Sequence, residues 1–377
     1  MVPRRIVKIE KIGNRPTVDI EVKSNEHLFF GNGMATSNSH GVSYAMNSYL
    51  SAYAKAHFPI EFFTASLQNA RNKIDPHTEI KELYQNAIEM NIAIKKPDIR
   101  ILNEFFELKD NIIHFGLTDI KGVGESAYKK LTEIIIEQNI DLNTFKWIDF
   151  LFLLSKINSI AAKNLIQVGA LDHLKISRNR MLFEYNAFCE LTDKESSILK
   201  SIVNNSKSLE YNLQQLYGGN HKISTKRKDT ILNLIHSLKN PPYSLDDQID
   251  WIVDTEHSLL GCSISYCKVD RYDTSMINYT CQDFKNNRIL NNNSIMLVGE
   301  IENINVTKIK NGNDKGSDMA FLTINDGTAS LDSVICFAKE YKQYRNQLFT
   351  GNVIVLSGKK SKQKDSFVVE KIYLPQT

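Results

Sequence analysis

The sequence predicts a multidomain α+β protein in which small β-rich regions flank a long helical middle. Runs of alternating apolar and polar residues, separated by turns rich in Gly and Asn, occupy residues 1–38 and the chain after Ser294. Helical spacing of apolar residues dominates residues 39–95, 116–175 and 177–240. The length of 377 residues allows roughly two to four domains, so these changes of pattern are expected to mark domain boundaries.

The composition is that of an ordinary globular protein. Hydrophobic residues make up 42% and charged residues 24%, and no apolar run reaches the ~18 residues of a membrane span. The charged N-terminus lacks the apolar core of a signal peptide, so a cytoplasmic location without a membrane partner is expected. The five cysteines form no CxxC pair and have no zinc-finger spacing to histidine, which predicts neither disulfides nor a metal site. Because the net charge is only +3, any nucleic-acid contact must come from local clusters of basic residues.

The stretch VDIEVKSNEHLFFGNGMATSN, which ends at Asn38, carries the most specific pattern of the N-terminal region. An Asp-Ile pair, a His, an aromatic pair, Asn-Gly and a final Asn follow one another, and the next residue bears a hydroxyl. These residues are Asp19-Ile20, His27, Phe29-Phe30, Asn32-Gly33, Asn38 and Ser39. The pattern resembles the C-terminal fragment of a split intein, which implies trans-splicing with a matching fragment on another chain.

Each residue type in this pattern suits a step of splicing. The Ser39 hydroxyl is expected to attack the activated ester at the upstream junction. The side-chain amide of Asn38 then attacks its own carbonyl carbon, which forms a succinimide and cuts the chain. His27 is the expected proton carrier, because imidazole titrates near neutral pH, and Asp19 is an expected electrostatic partner at the junction. Many inteins have His where this chain has Ser37, which implies an altered rate, and the alternative is a β-rich extension without splicing.

A second pattern, of spaced aromatic and basic residues, follows the junction. The matching residues are Ser39-His40, Tyr44, Tyr53, Lys55, His57, Phe58, Pro59, Glu61 and Phe62. They resemble the end of the fingers region in the alpha subunit of bacterial DNA polymerase III, the family C polymerases. The resemblance implies that Ser39 and His40 lie near the phosphates of the incoming nucleotide, to which hydroxyl and imidazole groups can donate. The alternative is a helix N-cap Ser beside an incidental His, and Tyr49, Tyr53 and Phe58 are expected in the core.

The stretch Ile120-Lys121-Gly122-Val123-Gly124 has the spacing of a helix-hairpin-helix motif. Two glycines let the backbone turn tightly and approach a phosphate, and the exposed N–H groups of the following helix then bind it. Lys121, Lys129 and Lys130 add positive charge, so contact with DNA is expected to be independent of sequence and weakened by salt. The stretch also matches the polymerase family, as does LIQVGALDHL farther on.

In that family a sliding-clamp peptide usually lies between the hairpin and a C-terminal barrel. It reads as Gln, two variable residues, Leu or Met, and Phe. The nearest match here makes Leu216 and Tyr217 the candidate anchors for a pocket on the clamp. Leu213 replaces the leading Gln, and the end of an amphipathic helix is the equally open alternative. Glu256 and Leu260-Gly261 match a helix that precedes the family's connector.

The chain after Ser294 predicts a small β-barrel. Five alternating runs, with one helical stretch between the third and fourth, need closure to protect their edges, and they resemble the OB-fold domain of the same polymerase. The first and last hairpins are rich in lysine, at Lys308, Lys310, Lys315, Lys359, Lys360, Lys362 and Lys364. These lysines are candidates for a basic rim that holds a single strand of DNA, with solvated turns as the alternative. Phe321 and Phe337 are stacking candidates, although core positions are favoured for both.

The resemblances imply a multidomain chain that forms part of a replicative DNA polymerase. The expected segments are a split-intein fragment (1–38), the end of the fingers (39–105), the helix-hairpin-helix region (106–175), a helical linker with the possible clamp peptide (176–245), a connector (246–290) and the OB-fold domain (291–377). The expected partners are an N-terminal polymerase half, DNA template-primer and the sliding clamp. The palm aspartates that would hold Mg²⁺ for nucleotidyl transfer are absent, so no cofactor is expected in this chain. The alternative function is a stand-alone DNA-binding or architectural protein without splicing or polymerase activity.

Overall fold

The computed structural model describes residues 28–31, 34–37, 40–289, 294–311, 314–361 and 366–375. The predicted site residues outside these ranges are Asp19, His27, Asn38, Ser39, Lys362 and Lys364. The chain divides into two compact units, Met1–Pro59 and Ile60–Thr377.

The first unit contains a short antiparallel strand pair and one long helix. Strand β1 (Leu28–Gly31) pairs with β2 (Met34–Ser37), with Phe29 opposite Thr36. Asn-Gly, a dipeptide that favours two-residue hairpins, separates them in the sequence. Helix α1 (His40–His57) follows. The strand pair agrees with the β-rich pattern of this region, and it does not test splicing.

The prediction that Tyr49, Tyr53 and Phe58 belong to the core was wrong. Their exposed fractions are 65%, 45% and 55%. The tyrosine rings instead contact one another along the helix surface, because residues four apart lie on the same side of a helix. The ring of Tyr53 lies 6.2 Å from that of Tyr49 and 4.2 Å from that of His57, measured between centroids.

The second unit begins with the predicted helical region. Its helices are α2 (Pro59–Ala70), α3 (Pro76–Glu89), α4 (Glu125–Glu137), α5 (Trp147–Leu154), α6 (Ser159–Gln167), α7 (Arg178–Cys189), α8 (Asp193–Ile202), α9 (Leu209–Gly218), α10 (Thr225–Lys239), α11 (Ile249–Leu260) and α12 (Cys281–Lys285). Side-chain caps fix several starts: Asn158, for example, accepts the Ala161 N–H at 2.8 Å before α6. Short 3₁₀ turns lie at Leu117–Asp119, Asp172–Leu174 and Lys268–Arg271.

A small sheet interrupts the helices between α3 and α4. Its strands are β3 (Ile94–Lys95), β4 (Glu107–Lys109) and β5 (Ile112–His114), in the order β3-β5-β4. One continuous cluster of buried side chains runs from Phe63 on α2 to Cys262 after α11, so the sheet and most of the helices share a core. No helix among the described residues is both long and apolar enough to cross a lipid bilayer.

The C-terminal part of the second unit is a closed five-stranded barrel. Its elements are β6 (Ile295–Lys308), β7 (Asp318–Asn325), β8 (Ser330–Cys336), α13 (Ala338–Tyr344), a 3₁₀ turn (Arg345–Gln347), β9 (Val353–Lys360) and β10 (Phe367–Tyr373). The strand order is β10-β8-β7-β6-β9, in which β10 and β8 are parallel, and the antiparallel β9–β10 pair joins the two ends and closes the barrel. The predicted strands, the helix between the third and fourth strands and the closure are therefore confirmed.

The preference for core positions at Phe321 and Phe337 was wrong. Their exposed fractions are 39% and 43%. Strand side chains alternate between faces, and Ala320 and Leu322 on either side of Phe321 are fully buried, so Phe321 points outward. Phe337 follows the buried Cys336 and sits at the entry to α13.

Candidate nucleic-acid interface

The predicted hairpin lies between a 3₁₀ turn and the start of α4. Gly122 has φ +80°, which favours glycine, and a Cβ atom there would come within 2.6 Å of Asn164 Nδ2. The Lys121 N–H donates to Leu259 O at 2.9 Å, and Asn164 Nδ2 donates to Lys121 O at 2.6 Å. The turn is thus fixed by contacts from α6 and α11, so its geometry does not depend on a bound ligand.

The second glycine has a different environment from the first. Gly124 is the N-cap of α4, with φ −82°, and a Cβ atom there would have no neighbour within 4 Å. The fold alone therefore does not require glycine at this position. The N–H groups of Gly124, Glu125 and Ser126 have no acceptor among the described residues. They form a cluster of donors at a helix start, which is the usual arrangement for binding a phosphate.

The lysines near the hairpin differ in their availability. Lys121, Lys129 and Lys130 are all exposed. Lys129 pairs with Glu125 at 2.6 Å, and this hydrogen bond raises the pKa of Lys129 and lowers that of Glu125. Glu125 lies beside the free N–H groups, so part of the positive charge is neutralised where a phosphate would bind. Lys121 and Lys130 have no ion-pair partner among the described residues and supply the available charge.

A buried carboxyl group lies directly before the hairpin, and the sequence patterns did not indicate it. The Asp119 side chain is 4% exposed; it accepts the Phe106 N–H at 3.1 Å and lies 3.3 Å from Arg71 Nη2. Burial raises the pKa of Asp119 to about 6, although the nearby Arg71 acts in the opposite direction. Arg71 also lies over the Phe105 ring at 3.4 Å. The Arg71–Asp119 ion pair therefore connects the end of α2 to the residue that precedes the hairpin.

A buried ionic cluster joins the helices behind the hairpin. Arg178 and Glu256 are 2% and 0% exposed and form an ion pair at 2.9 Å. Arg178 also donates to Asp172 and to the carbonyl of Gln167. Glu256 accepts the Ser265 N–H at 2.9 Å, so the pair fixes the turn after α11 as well. The sequence singled out Glu256 only by resemblance and gave no indication of Arg178.

The barrel lysines also differ in whether their side chains have partners. Lys308 and Lys310, in the β6–β7 hairpin, are exposed and have no ion-pair partner among the described residues. Lys359 pairs with Glu370 at 2.7 Å, and Lys360 contacts Asn287 and lies 5.8 Å from the Phe284 ring. Of the four, Lys308 and Lys310 are therefore the ones available to a ligand.

An exposed aromatic side chain, Phe321, lies on the strand that follows the lysine-bearing hairpin. Phe321 on β7 stands between Asn305 on β6 and Ile335 on β8 in the strand register. Strands β6 and β7 are joined by the hairpin that carries Lys308 and Lys310, so the exposed Phe321 ring belongs to the same hairpin. This is an arrangement suited to a stacked base with its phosphate nearby.

The candidate clamp peptide lies on helix α9. Leu209, Leu213 and Leu216 are fully or almost fully buried, whereas Tyr217 is 36% exposed. Leu216 is thus accounted for by the core, which favours the amphipathic-helix alternative in this conformation. Tyr217 alone is accessible, and clamp binding stays a prediction. Among the described residues, no group of His, Cys, Asp and Glu side chains is placed to hold a metal ion.

The chain is similar in sequence to one protein-family model and to several known proteins. A family model for the helix-hairpin-helix motif matches residues 91–181, which confirms the prediction of that motif. The chain is 26% identical over 348 residues to DNA polymerase III subunit alpha of Borreliella burgdorferi, which covers 90% of this chain and 28% of that protein. It is 26% identical over 333 residues to the same subunit of Haemophilus influenzae, covering 87% and 26%, and 27% identical over 348 residues to that of Aquifex aeolicus, covering 90% and 25%. The chain spans about a quarter of the length of these relatives.

Proposed function

We propose that this chain is the C-terminal part of a replicative DNA polymerase III alpha subunit, which binds DNA and takes part in template-directed synthesis once joined to an N-terminal half. The observation that carries the proposal is the similarity to such subunits over 87–90% of the chain, across both the helical region and the barrel. The hairpin and the closed barrel support DNA binding by this part.

In this proposal the hairpin holds the phosphate backbone of the template-primer duplex. The free N–H groups of Gly124, Glu125 and Ser126 donate to a phosphate, and Lys121 and Lys130 contribute charge. None of these groups reads a base, so binding is independent of sequence. The barrel holds a single strand, with Lys308 and Lys310 near the phosphates and Phe321 against a base.

Polymerisation itself needs groups that this chain lacks. The aspartates that bind Mg²⁺ would lie on the N-terminal half, and the metal would activate the nucleophile and stabilise the leaving group there. His40 begins α1, and we assign it, with Ser39, to the phosphates of the incoming nucleotide. We further propose that the joining step is trans-splicing at Asn38–Ser39, with His27 and Asp19 assisting, and that the sliding clamp is a further partner at Tyr217.

The two hairpin glycines provide a matched test of DNA binding. Gly124→Ala is expected to weaken duplex binding roughly tenfold or more, because its Cβ would clash with an approaching phosphate, and to lower stability by at most about 1 kcal/mol, because alanine is a poorer N-cap than glycine. Gly122→Ala is expected to lower stability as well, since its Cβ meets Asn164 and its φ is positive. Fluorescence anisotropy with a labelled duplex and urea unfolding measure the two effects. Unchanged DNA affinity in Gly124→Ala would remove the hairpin from the proposed interface.

Splicing is tested by mass. The chain is co-expressed with a polypeptide from the same genome that carries the N-terminal half and the matching intein fragment. A ligated product that lacks residues 1–38 is expected, and Asn38→Ala is expected to block release at that junction. Two unchanged masses, with Asn38 and Ser39 intact, would instead favour a stand-alone DNA-binding protein.

A further inference from the structure

The 3₁₀ turn Lys268–Arg271, which we call the connector turn, packs against the barrel. Its Val269 side chain is 5% exposed and forms a small apolar cluster with Val298, Val353 and Val355 on β6 and β9. This cluster is separate from the one that fills the barrel interior. Apolar contact therefore fixes the connector turn to the barrel.

The connector turn is also paired with helix α11. Lys268 Nζ lies 3.1 Å from Asp254 Oδ1 on α11 and 2.9 Å from Glu300 Oε1 on β6, and its side chain is 19% exposed. Arg271 forms an ion pair with Asp250, which is also on α11. Because Asp250 and Asp254 are four residues apart, both carboxylates lie on one side of the helix. These two residues, which we call the α11 acidic row, connect α11 to the barrel through the connector turn.

The C-terminal end of α11 contacts the hairpin. Leu259 O accepts the Lys121 N–H at 2.9 Å, directly before the first hairpin glycine. Asp250 and Leu259 are nine positions apart, which corresponds to about 14 Å along a helix. Helix α11 thus contacts the hairpin at one end and the connector turn near the other, so the distance between hairpin and barrel depends on this helix.

The other contacts between the barrel and the helices are also polar. Glu302 on β6 lies 3.1 Å from Lys81 Nζ and accepts from Gln85 Nε2 at 3.3 Å, both on α3. A cleft of about 370 Å³ lies beside these groups. Among the described residues, the apolar cluster of the helical region and that of the barrel interior have no member in common. The position of the barrel relative to the helices therefore depends on a network of charged groups.

We propose that Lys268 and Arg271 are positioning residues that hold the barrel at a set distance from the hairpin, so that one template-primer occupies both. The inference rests on the proposed function, in which the hairpin holds the duplex and the barrel holds a single strand. When one ligand joins two sites of fixed geometry, the second binding event is intramolecular, and the geometry sets its effective concentration. Pairing with the α11 acidic row keeps the barrel in that geometry.

Three DNA ligands measure this coupling. Fluorescence anisotropy at one salt concentration gives the Kd of the full chain for a blunt duplex, for a single strand, and for the same duplex with a single-stranded overhang. Overhangs of about 4 to 16 nucleotides cover the site sizes of such barrels. The product of the first two Kd values, divided by the third, is the effective concentration. A value in the millimolar range with one optimum of overhang length is expected for the wild-type chain.

Removal of the α11 acidic row is expected to lower the effective concentration. Asp250→Ala/Asp254→Ala should reduce it roughly fivefold and broaden the optimum of overhang length, while the Kd values for duplex and single strand stay within about twofold. Simple electrostatics predicts the opposite sign, because loss of two negative charges favours DNA binding. Glu133→Ala/Glu137→Ala on α4 is the matched control, since it removes two exposed carboxylates at the same spacing and should leave the effective concentration unchanged.

A reversed ion pair tests the positioning role without a net change of charge. Arg271→Asp alone is expected to lower the effective concentration, and Asp250→Arg/Arg271→Asp is expected to recover most of it, because the pair is restored with opposite sign. Urea unfolding of each variant verifies that the fold is intact. If the double variant recovered nothing, Arg271 would act in another way, for example through its own contact with DNA, and the proposal would be rejected.

The separate ligands distinguish failure of this inference from failure of the proposed function. If the wild-type chain bound neither duplex nor single strand, both would be wrong. If it bound each, but the overhang added nothing to duplex affinity, DNA binding would stand and the hairpin and barrel would be independent. An equal effective concentration in the acidic-row variant and the control would likewise show that the connector turn does not position the barrel.

Discussion

The helical region and the barrel of the second unit hold their shapes by different means. Arg178, Glu195 and Glu256 are buried charged residues of the helical region, whereas no charged residue among the described barrel strands is buried to that extent. The barrel is filled by side chains such as Leu297 and Leu356, while Val298, Val353 and Val355 are buried in a separate small cluster. Strands find their neighbours through a ladder of backbone hydrogen bonds, so an apolar interior is sufficient. Helices that meet at irregular turns leave N–H groups to be satisfied, and buried side chains do this here.

The largest expected effect is at the buried pair in the helical region. Arg178→Met is expected to lower the free energy of unfolding by about 3–5 kcal/mol, because Glu256 would be left charged and fully buried without its partner. Arg180→Met is the matched control: this residue is 53% exposed and pairs loosely with Glu184 at 3.9 Å, so a change of at most about 1 kcal/mol is expected. Urea unfolding measures both. If both variants lost a similar amount of unfolding free energy, the buried Arg178–Glu256 pair would be no more important to the helical region than an exposed pair.

A smaller effect is expected at Asp119, and it depends on pH. Its folded-state pKa of about 6 lies above the unfolded value of about 3.9, so the folded chain binds this proton more tightly. The contribution of Asp119 to stability is therefore fully present below about pH 4, falls between pH 4 and pH 6, and stays low above that. Between pH 4 and pH 7 the free energy of unfolding of the wild-type chain is expected to fall by roughly 2–3 kcal/mol more than that of Asp119→Asn.

Urea unfolding of both proteins at several pH values provides the measurement. Other carboxyl groups titrate in both proteins and cancel in the difference. Parallel pH profiles would mean that Arg71 offsets the burial of Asp119. Asp75→Asn is a control at an exposed carboxyl whose pKa is lowered by its hydrogen bonds to Thr78, so the sign of its pH dependence is opposite.

The same contrast explains what the sequence could predict. The barrel strands and the hairpin glycines follow local rules of alternation and spacing, which are visible in a single sequence. The Arg178–Glu256 pair joins residues 78 positions apart, and no local pattern relates them. Leu216 and Phe321 show the same limit: the sequence left Leu216 open between a clamp anchor and a helix face and favoured the core for Phe321, but Leu216 is buried and Phe321 is exposed, which depends on the faces that neighbouring elements cover.

The smallest expected effect separates the two proposed DNA contacts. The hairpin presents fixed backbone N–H groups, whereas the barrel presents lysine side chains, which displace counterions from the DNA. Lys310→Gln is therefore expected to reduce the slope of log affinity against log salt for a single-stranded oligonucleotide by about 0.7. Gly124→Ala is expected to weaken duplex binding at every salt concentration with little change of slope, because no charge is removed. Fluorescence anisotropy across a sodium chloride series measures both, with Lys200→Gln on α8 as the lysine control. An unchanged slope in Lys310→Gln would leave the barrel lysines as solvated turn residues.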